Sequence, residues 1–209
     1  MTDKSKGNRG ISAFIVEKGT PGFTIGKLEH KMGIRASATA ELIFDNCIIP
    51  KENLLGEVNK GFKIAMNTLD GGRIGVAAQA LGIAEGAFDE AVKYMNERVQ
   101  FRKKISSFQG LQWMCADMKC SIESARLLVY RAAAFKQEGK DFQEEAAMAK
   151  LSASRTAMDV TTKCVQLFGG YGYSREYPVE RMMRDAKITE IYEGTSQVQQ
   201  MVIAGRIFK

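Results

Sequence analysis

The sequence predicts a mainly α fold: an antiparallel, up-and-down bundle of the four-helix type, preceded by a partial antiparallel β-barrel or sheet segment. Three observations predict it. The first fifty-odd residues alternate between apolar and polar types and are punctuated by Gly and Pro. From Gly61 onward, apolar residues recur at spacings of three and four, the helical period. Two later segments hold a strict 4-3-4-3-4-3 apolar stripe, the pattern of helices packed against near-antiparallel neighbours. The chain therefore divides into a β-rich piece, residues 1–56, and a helical piece, residues 57–209.

In chain order, residues 1–9 are polar and read as loose. Residues 10–18 alternate Ile11, Ala13 and Ile15 against Phe14 and Val16, a strand. A Gly-Thr-Pro-Gly turn leads to a second strand at 23–28. A third, 38–49, ends at Pro50. So few strands do not make a stable sheet alone.

The helical part opens with a short helix, 62–69, interrupted at Gly71-Gly72. A longer one, 73–98, carries Val76, Ala80, Ile83, Ala87, Ala91 and Tyr94. The next, 108–138, carries Leu111, Cys115, Met118, Ile122, Ala125, Val129 and Ala132 and is stopped by Gly139. A third long helix, 142–168, carries Ala147, Leu151, Ser154, Met158, Thr161, Val165 and Phe168. A short helix at 178–187 and a last one reaching 206 complete the chain. Helices this long, apolar on more than one side, imply burial between subunits.

Composition excludes several chemistries. With 209 residues and 45% hydrophobic content the chain can bury a sizeable core. No uncharged stretch, 74–84 included, approaches the roughly 18 residues of a membrane span. No signal-peptide pattern opens the sequence. The four cysteines form no C-x-x-C pair, and the single His30 completes no zinc set, so no metal site is expected. The net charge is +6, but the basic residues are interleaved with 24 acidic ones, which argues against nucleic acid as a partner. One histidine also leaves acid–base work mainly to carboxylates or tyrosines.

Glu193 stands out among those carboxylates. It lies between Tyr192 and a Gly194-Thr195-Ser196 turn that opens the last helix. Such a joint suits proton abstraction next to a carbonyl. On residue types alone the better reading is a solvated loop residue ahead of an N-cap at Thr195 or Ser196. Arg98 and Gln109, near the ends of two helices, read either as an ordinary surface pair with Glu97 or as a clamp for a pyrophosphate. Asp70 and Arg73, across the Gly-Gly break, read as a helix-end pair. Asp185 and Lys187 read as structural ion pairs. The glycines at 71–75 and 169–172 are weak as nucleotide-loop signals.

Taken together, Met32-Gly33-Ile34-Arg35-Ala36-Ser37, Leu69-Asp70-Gly71-Gly72-Arg73, Glu97-Arg98-x-x-Phe101, Gln166-Leu167-Phe168-Gly169-Gly170-x-Gly172, and Met183 to Ile188 followed by Tyr192-Glu193-Gly194-Thr195-Ser196 carry a resemblance. The chain resembles the acyl-CoA dehydrogenase family over essentially its whole length. Its texture is that of short-chain (butyryl-CoA) dehydrogenases of anaerobic bacteria. The joint match is specific although each piece alone is not.

The resemblance implies FAD as cofactor and an acyl-CoA as substrate. Glu193 matches the base that removes the α-proton while the flavin takes the β-hydride, giving a trans-2-enoyl-CoA. By the same matching, Arg98, Phe101 and Gln109 contact the neighbouring subunit's FAD, and Gln166 and Gly170 its adenine side. Thr195 and Gln197 match contacts to the subunit's own FAD. Asp70 and Arg73 line the CoA and acyl channel, and Tyr192 and Gly194 flank the substrate. In members without this Glu the base comes from the helix just after the Asp matched by Asp70, here Gly72. Asn67 and Thr189 are candidates for narrowing the acyl pocket. One departure is Gln100, where Thr is common.

The resemblance also implies a homo-oligomer, a dimer of dimers, and an electron-transfer flavoprotein as electron acceptor. It implies a cytoplasmic bacterial location, with the mitochondrial matrix left open. In the family, a helical domain and several barrel strands precede the region matching Lys6. The chain thus reads as a C-terminal portion, residues 1–56 being the end of a middle β domain, and is expected to bind FAD weakly and turn over poorly alone. The alternatives are another acyl-CoA flavoenzyme, of the glutaryl-CoA dehydrogenase or acyl-CoA oxidase type, or a non-catalytic helical oligomerisation module.

Overall fold

The structure is a computed structural model and describes residues 1–208. It resolves into two compact units: Met1–Lys31 with Arg35–Leu69, and Met32–Ile34 with Asp70–Lys209.

The first unit is built from short antiparallel pairs. Strand β1 (Ala13–Phe14) pairs with β4 (Leu54–Leu55), and β2 (Phe23–Leu28) with β3 (Ala40–Phe44). In the second pair Phe23 faces Phe44, their rings stacked at 4.9 Å, and the register shifts between Ile25 and Leu28. Strand β2 matches the expected 23–28. The strands expected at 10–18 and 38–49 are shorter, because ladder hydrogen bonds need a partner and β1 finds only two residues to pair with. Residues 1–9 are not loose: Lys4–Gly10 forms 3-10 turns, with Asp3 accepting from the Ser5 amide at 3.1 Å. Two-stranded pairs cover neither face, so Ile25, Leu42 and Phe44 stay more than half exposed.

Helix α1 (Gly61–Glu97) runs without a break through Gly71-Gly72, against the expected interruption. Each glycine costs a helix interior about 1 kcal/mol relative to alanine. Packing along Ala77, Ala80, Ala84, Ala87 and Ala91, all fully buried, outweighs that cost.

Helices α2 (Gln109–Gln137) and α3 (Gln143–Phe168) form an antiparallel hairpin closed at Gly139, whose φ of +68° favours glycine. The α2 stripe is buried from Met118 to Ala132 as its spacing predicts. Helix α3 is buried on a different and wider arc than its expected stripe: Ala147, Ser154, Thr161 and Phe168 are buried, Leu151, Met158 and Val165 only half-buried, and Ala149, Ala153, Ala157, Val160 and Cys164 are buried beside them. It serves as the central helix, packed against α2, α4 (Val179–Lys187) and α5 (Ser196–Ile207). Burial pushes the Cys164 thiol up to about 12, so it behaves as a small apolar side chain.

The segment Met32–Ile34 docks on α4. Asp185 accepts from the Ile34 amide at 2.6 Å, and Arg184 donates to the Met32 carbonyl at 2.7 Å. Asp185 is thus a backbone acceptor and, among the described residues, not an ion-pair member, whereas Lys187 pairs with Glu190 at 2.6 Å. Thr189 is fully buried and donates to the Ala186 carbonyl, so it packs inside the chain rather than at an acyl pocket.

Candidate active site

Helix α4 gives way to a 3-10 turn, Ile188–Glu190, and the chain then reverses. The reversal uses two successive left-handed residues, Glu193 at φ +55° and Gly194 at φ +93°. Glycine adopts that region freely; a glutamate there is strained and needs outside support.

The support comes from three helices. The Tyr192 hydroxyl donates to Gln79 Oε1 on α1. Lys150 Nζ, from α3, donates to the Gly194 carbonyl at 2.6 Å. Gln199 Nε2, from α5, donates to the same carbonyl at 2.8 Å and to the Glu193 carbonyl at 3.3 Å. Thr195 caps α5 by accepting from the Val198 amide at 3.4 Å. Lys150 and Gln199 are both fully buried. Burial pushes the Lys150 ammonium down to about 8; Arg73 pushes the same way, and Glu190 and Glu193 oppose it. Burial also raises the Tyr192 phenol.

The Glu193 carboxylate itself faces Gly72 of α1. A β-carbon built on Gly72 would lie 2.9 Å from Glu193 Oε2 and 3.2 Å from its carboxyl carbon. Among the described residues, nothing accepts from the Glu193 amide, and its carboxylate makes no hydrogen bond or ion pair. A carboxylate with a free N–H beside it is what enolisation of a thioester requires: a base, and a donor for the oxygen on which charge develops.

Next to Gly72, Asp70 and Arg73 sit one turn apart on the continuous α1 and pair at 2.7 Å. They are 9% and 6% exposed, so this is a buried pair rather than a helix-end one. Gln143 Nε2 donates to the second Asp70 oxygen at 2.9 Å, and Arg206 donates to Gln143 Oε1 at 3.0 Å. Arg73 Nε is buried without a partner.

A separate groove of about 990 Å3 gathers Arg98, Phe101, Gln166 and Gly170. None of Glu193, Thr195 and Gln197 lines it. Arg98 lies over the Tyr171 ring at 5.2 Å and, among the described residues, makes no ion pair, so it is not the partner of Glu97. Phe101 stands at the tip of a hairpin in which β5 (Val99–Gln100) pairs with β6 (Lys103–Lys104). Both tip residues, Phe101 and Arg102, have positive φ, as a two-residue turn of this kind demands, and Phe101 is 86% exposed. Gln109 is exposed at the start of α2, outside the lining but between two lining residues, Phe108 and Gly110. Gln197 is exposed on the first turn of α5.

Sequence reasoning missed Lys150, Gln199 and Gln79. The one available signal was a lysine set among the small residues Ala146, Ala147, Ala149 and Ala153 of α3.

Two family models match the chain. Residues 59–208 match the acyl-CoA dehydrogenase C-terminal domain, and residues 1–47 the acyl-CoA dehydrogenase middle domain. The chain belongs to the acyl-CoA dehydrogenase family. It is 67% identical over its full length to a short-chain specific acyl-CoA dehydrogenase of Clostridium acetobutylicum, covering 55% of that protein. Its structure matches butyryl-CoA dehydrogenase from Megasphaera elsdenii with a TM-score of 0.99 at 64% identity, covering 100% of this chain and 55% of that one. The same figures hold for a structure described as the electron transferring flavoprotein of Acidaminococcus fermentans, in work on flavin-based electron bifurcation. The chain therefore spans about half the length of the relatives it matches.

Acyl-CoA dehydrogenases are flavin-dependent, and the residues present fit such a group. The groove offers a cation, amides and aromatic faces, the donor set for a pyrophosphate and a stacked base. A β-carbon on Gly110, Gly169 or Gly170 would meet nothing within 4 Å, so a ligand can approach the backbone there. At the other locus, the buried Ser196 hydroxyl between Thr195 and Gln197 has no hydrogen-bond partner among the described residues. Among the described residues, no helix is long and apolar enough to cross a membrane, and no group of His, Cys, Asp and Glu is placed to hold a metal ion.

Proposed function

We propose that this chain carries the catalytic base and part of the FAD site of a short-chain acyl-CoA dehydrogenase. The observation that carries the reading is the Glu193 carboxylate, held in a left-handed turn opposite Gly72 with its own amide free.

Bound flavin supplies the acceptor for the hydride that leaves the β-carbon of the acyl chain. Glu193 takes the α-proton, so the acyl-CoA loses one proton and one hydride and becomes a trans-2-enoyl-CoA. The Glu193 amide hydrogen-bonds the thioester oxygen as charge builds there. Gly72 leaves room for the carboxylate to approach the acyl chain. The Asp70–Arg73 pair and Tyr192 shape the channel for the acyl-CoA, with Gly194 permitting close approach. Thr195 and Gln197 hold the FAD of the same subunit. Arg98, Phe101, Gln109, Gln166 and Gly170 hold the FAD of a neighbouring subunit; that none of Glu193, Thr195 and Gln197 lines the groove supports two separate cofactors. A cofactor shared between subunits accords with a homo-oligomer, a dimer of dimers.

The electron transferring flavoprotein context of one similar structure supports such a flavoprotein as the electron acceptor. A cytoplasmic bacterial location accords with the bacterial relatives.

The whole FAD-loaded protein, given butyryl-CoA and an artificial electron acceptor, should form trans-2-butenoyl-CoA, read by chromatography of the thioesters. Absence of that product, with bound FAD present, would rule the reading out.

A further inference from the structure

We propose that Lys150 is a positioning residue for Glu193: its ammonium, reaching from α3, pins the Gly194 carbonyl and with it the left-handed turn that aims the carboxylate. The inference rests on the reading of Glu193 as the base.

The side chain of Lys150 is fully buried, and its recorded hydrogen bond goes to Gly194, at 2.6 Å. It makes no ion pair within 4 Å among the described residues. A lysine buried on a face of alanines without a carboxylate in contact is a poor packing choice. Leucine or methionine would fill the same volume with no ammonium to desolvate. What the ammonium provides is a charged donor at one carbonyl, in the turn where a non-glycine residue holds φ +55°. Gln199 is the second donor there, but a single N–H2 group serves both the Glu193 and Gly194 carbonyls. Gly72 of α1 faces the carboxylate. The turn that Lys150 holds at Gly194 therefore sets how the carboxylate meets that bare backbone.

The test separates proton abstraction from hydride transfer. The probe is a 3-thia acyl-CoA, in which sulfur replaces the β-carbon and no hydride can leave. Exchange of its α-hydrogens with deuterium from D2O is read by mass spectrometry in the whole FAD-loaded protein at saturating probe. Probe affinity and thermal stability are measured on the same samples. Lys150→Met should slow exchange on the order of tenfold or more while probe affinity is retained, because a shift of about 1 Å in a base is that costly. Should Lys150→Met fail to fold, Lys150→Gln is read by the same criterion; its amide is polar but too short to reach Gly194 as the ammonium does. Exchange at the parent rate in either folded variant overturns the inference. So does a loss of exchange that merely follows a loss of probe binding. If Glu193→Gln exchanges as fast as the parent, the assignment of the base has failed instead, and the inference falls with it.

Discussion

Gly72 and Glu193 compete for one place: the position of a β-carbon on Gly72 is 2.9 Å from Glu193 Oε2, closer than such atoms approach. The glycine is therefore not a helix break but clearance for the carboxylate. Gly72→Ala should separate stability from chemistry. Alanine favours the α1 interior by up to about 1 kcal/mol, so the melting temperature should hold or rise. The methyl displaces the carboxylate, so α-proton abstraction should slow on the order of tenfold. A variant that melts lower at unchanged turnover would contradict this.

The same proximity predicts that the base can be relocated. Gly72→Glu alone crowds two carboxylates and should be nearly inactive. Combined with Glu193→Gly, which also suits the left-handed backbone at that position, it should recover dehydrogenation measurably above either single variant. A double variant no better than Glu193→Gly would count against a shared locus.

Lys150 gives the fold a pH dependence whose sign can be worked out. Its pKa falls from 10.5 unfolded to about 8 folded. Between those values the unfolded chain binds more protons than the native one, so this group makes stability rise with pH across that window. Below it both states are protonated and the folded state carries the full cost of the buried charge. Denaturant midpoints of this chain and of Lys150→Met, followed across the window, should diverge, the parent gaining relative to the variant. Parallel curves would contradict the assignment.

Arg98 should matter for cofactor retention and not for proton abstraction. Among the described residues it has no carboxylate partner, and it lines the groove over Tyr171. Arg98→Ala should cost FAD affinity about 1.5–3 kcal/mol, the worth of a hydrogen bond to a charged group. Flavin content after gel filtration reads this directly. Full retention of FAD would place the cofactor elsewhere.

How far these features were legible in the sequence depended on their range. The stripe from Met118 to Ala132 could be read because helical burial repeats at a local period. The wider burial of α3 could not, since alanines carry little periodic signal and its several neighbours are set by tertiary packing. Gly71-Gly72 misled because the local glycine penalty is small beside packing. The strand expected at 10–18 shrank for want of a partner, which a one-chain pattern does not reveal. The turn alone leaves Glu193 a solvated loop residue; its proposed role as base, like the proposed FAD roles of Arg98 and Phe101, comes from the resemblance. Lys150 and Gln199 lie 43 and 6 positions from Glu193, and only the fold brings them to its carbonyls. The left-handed Phe101-Arg102 hairpin was hidden because neither residue is the Asn or Gly that normally signals it.

The central claim is that Glu193 is the base. Its most direct test is the oxidised-flavin absorbance of the whole FAD-loaded protein after anaerobic addition of butyryl-CoA, compared with Glu193→Gln at equal FAD content. The parent should bleach within the mixing experiment. The glutamine variant, which keeps the size of the side chain but cannot take a proton, should stay oxidised or bleach slower by a factor on the order of a hundred or more. Bleaching of the Glu193→Gln protein at the parent rate would contradict the account.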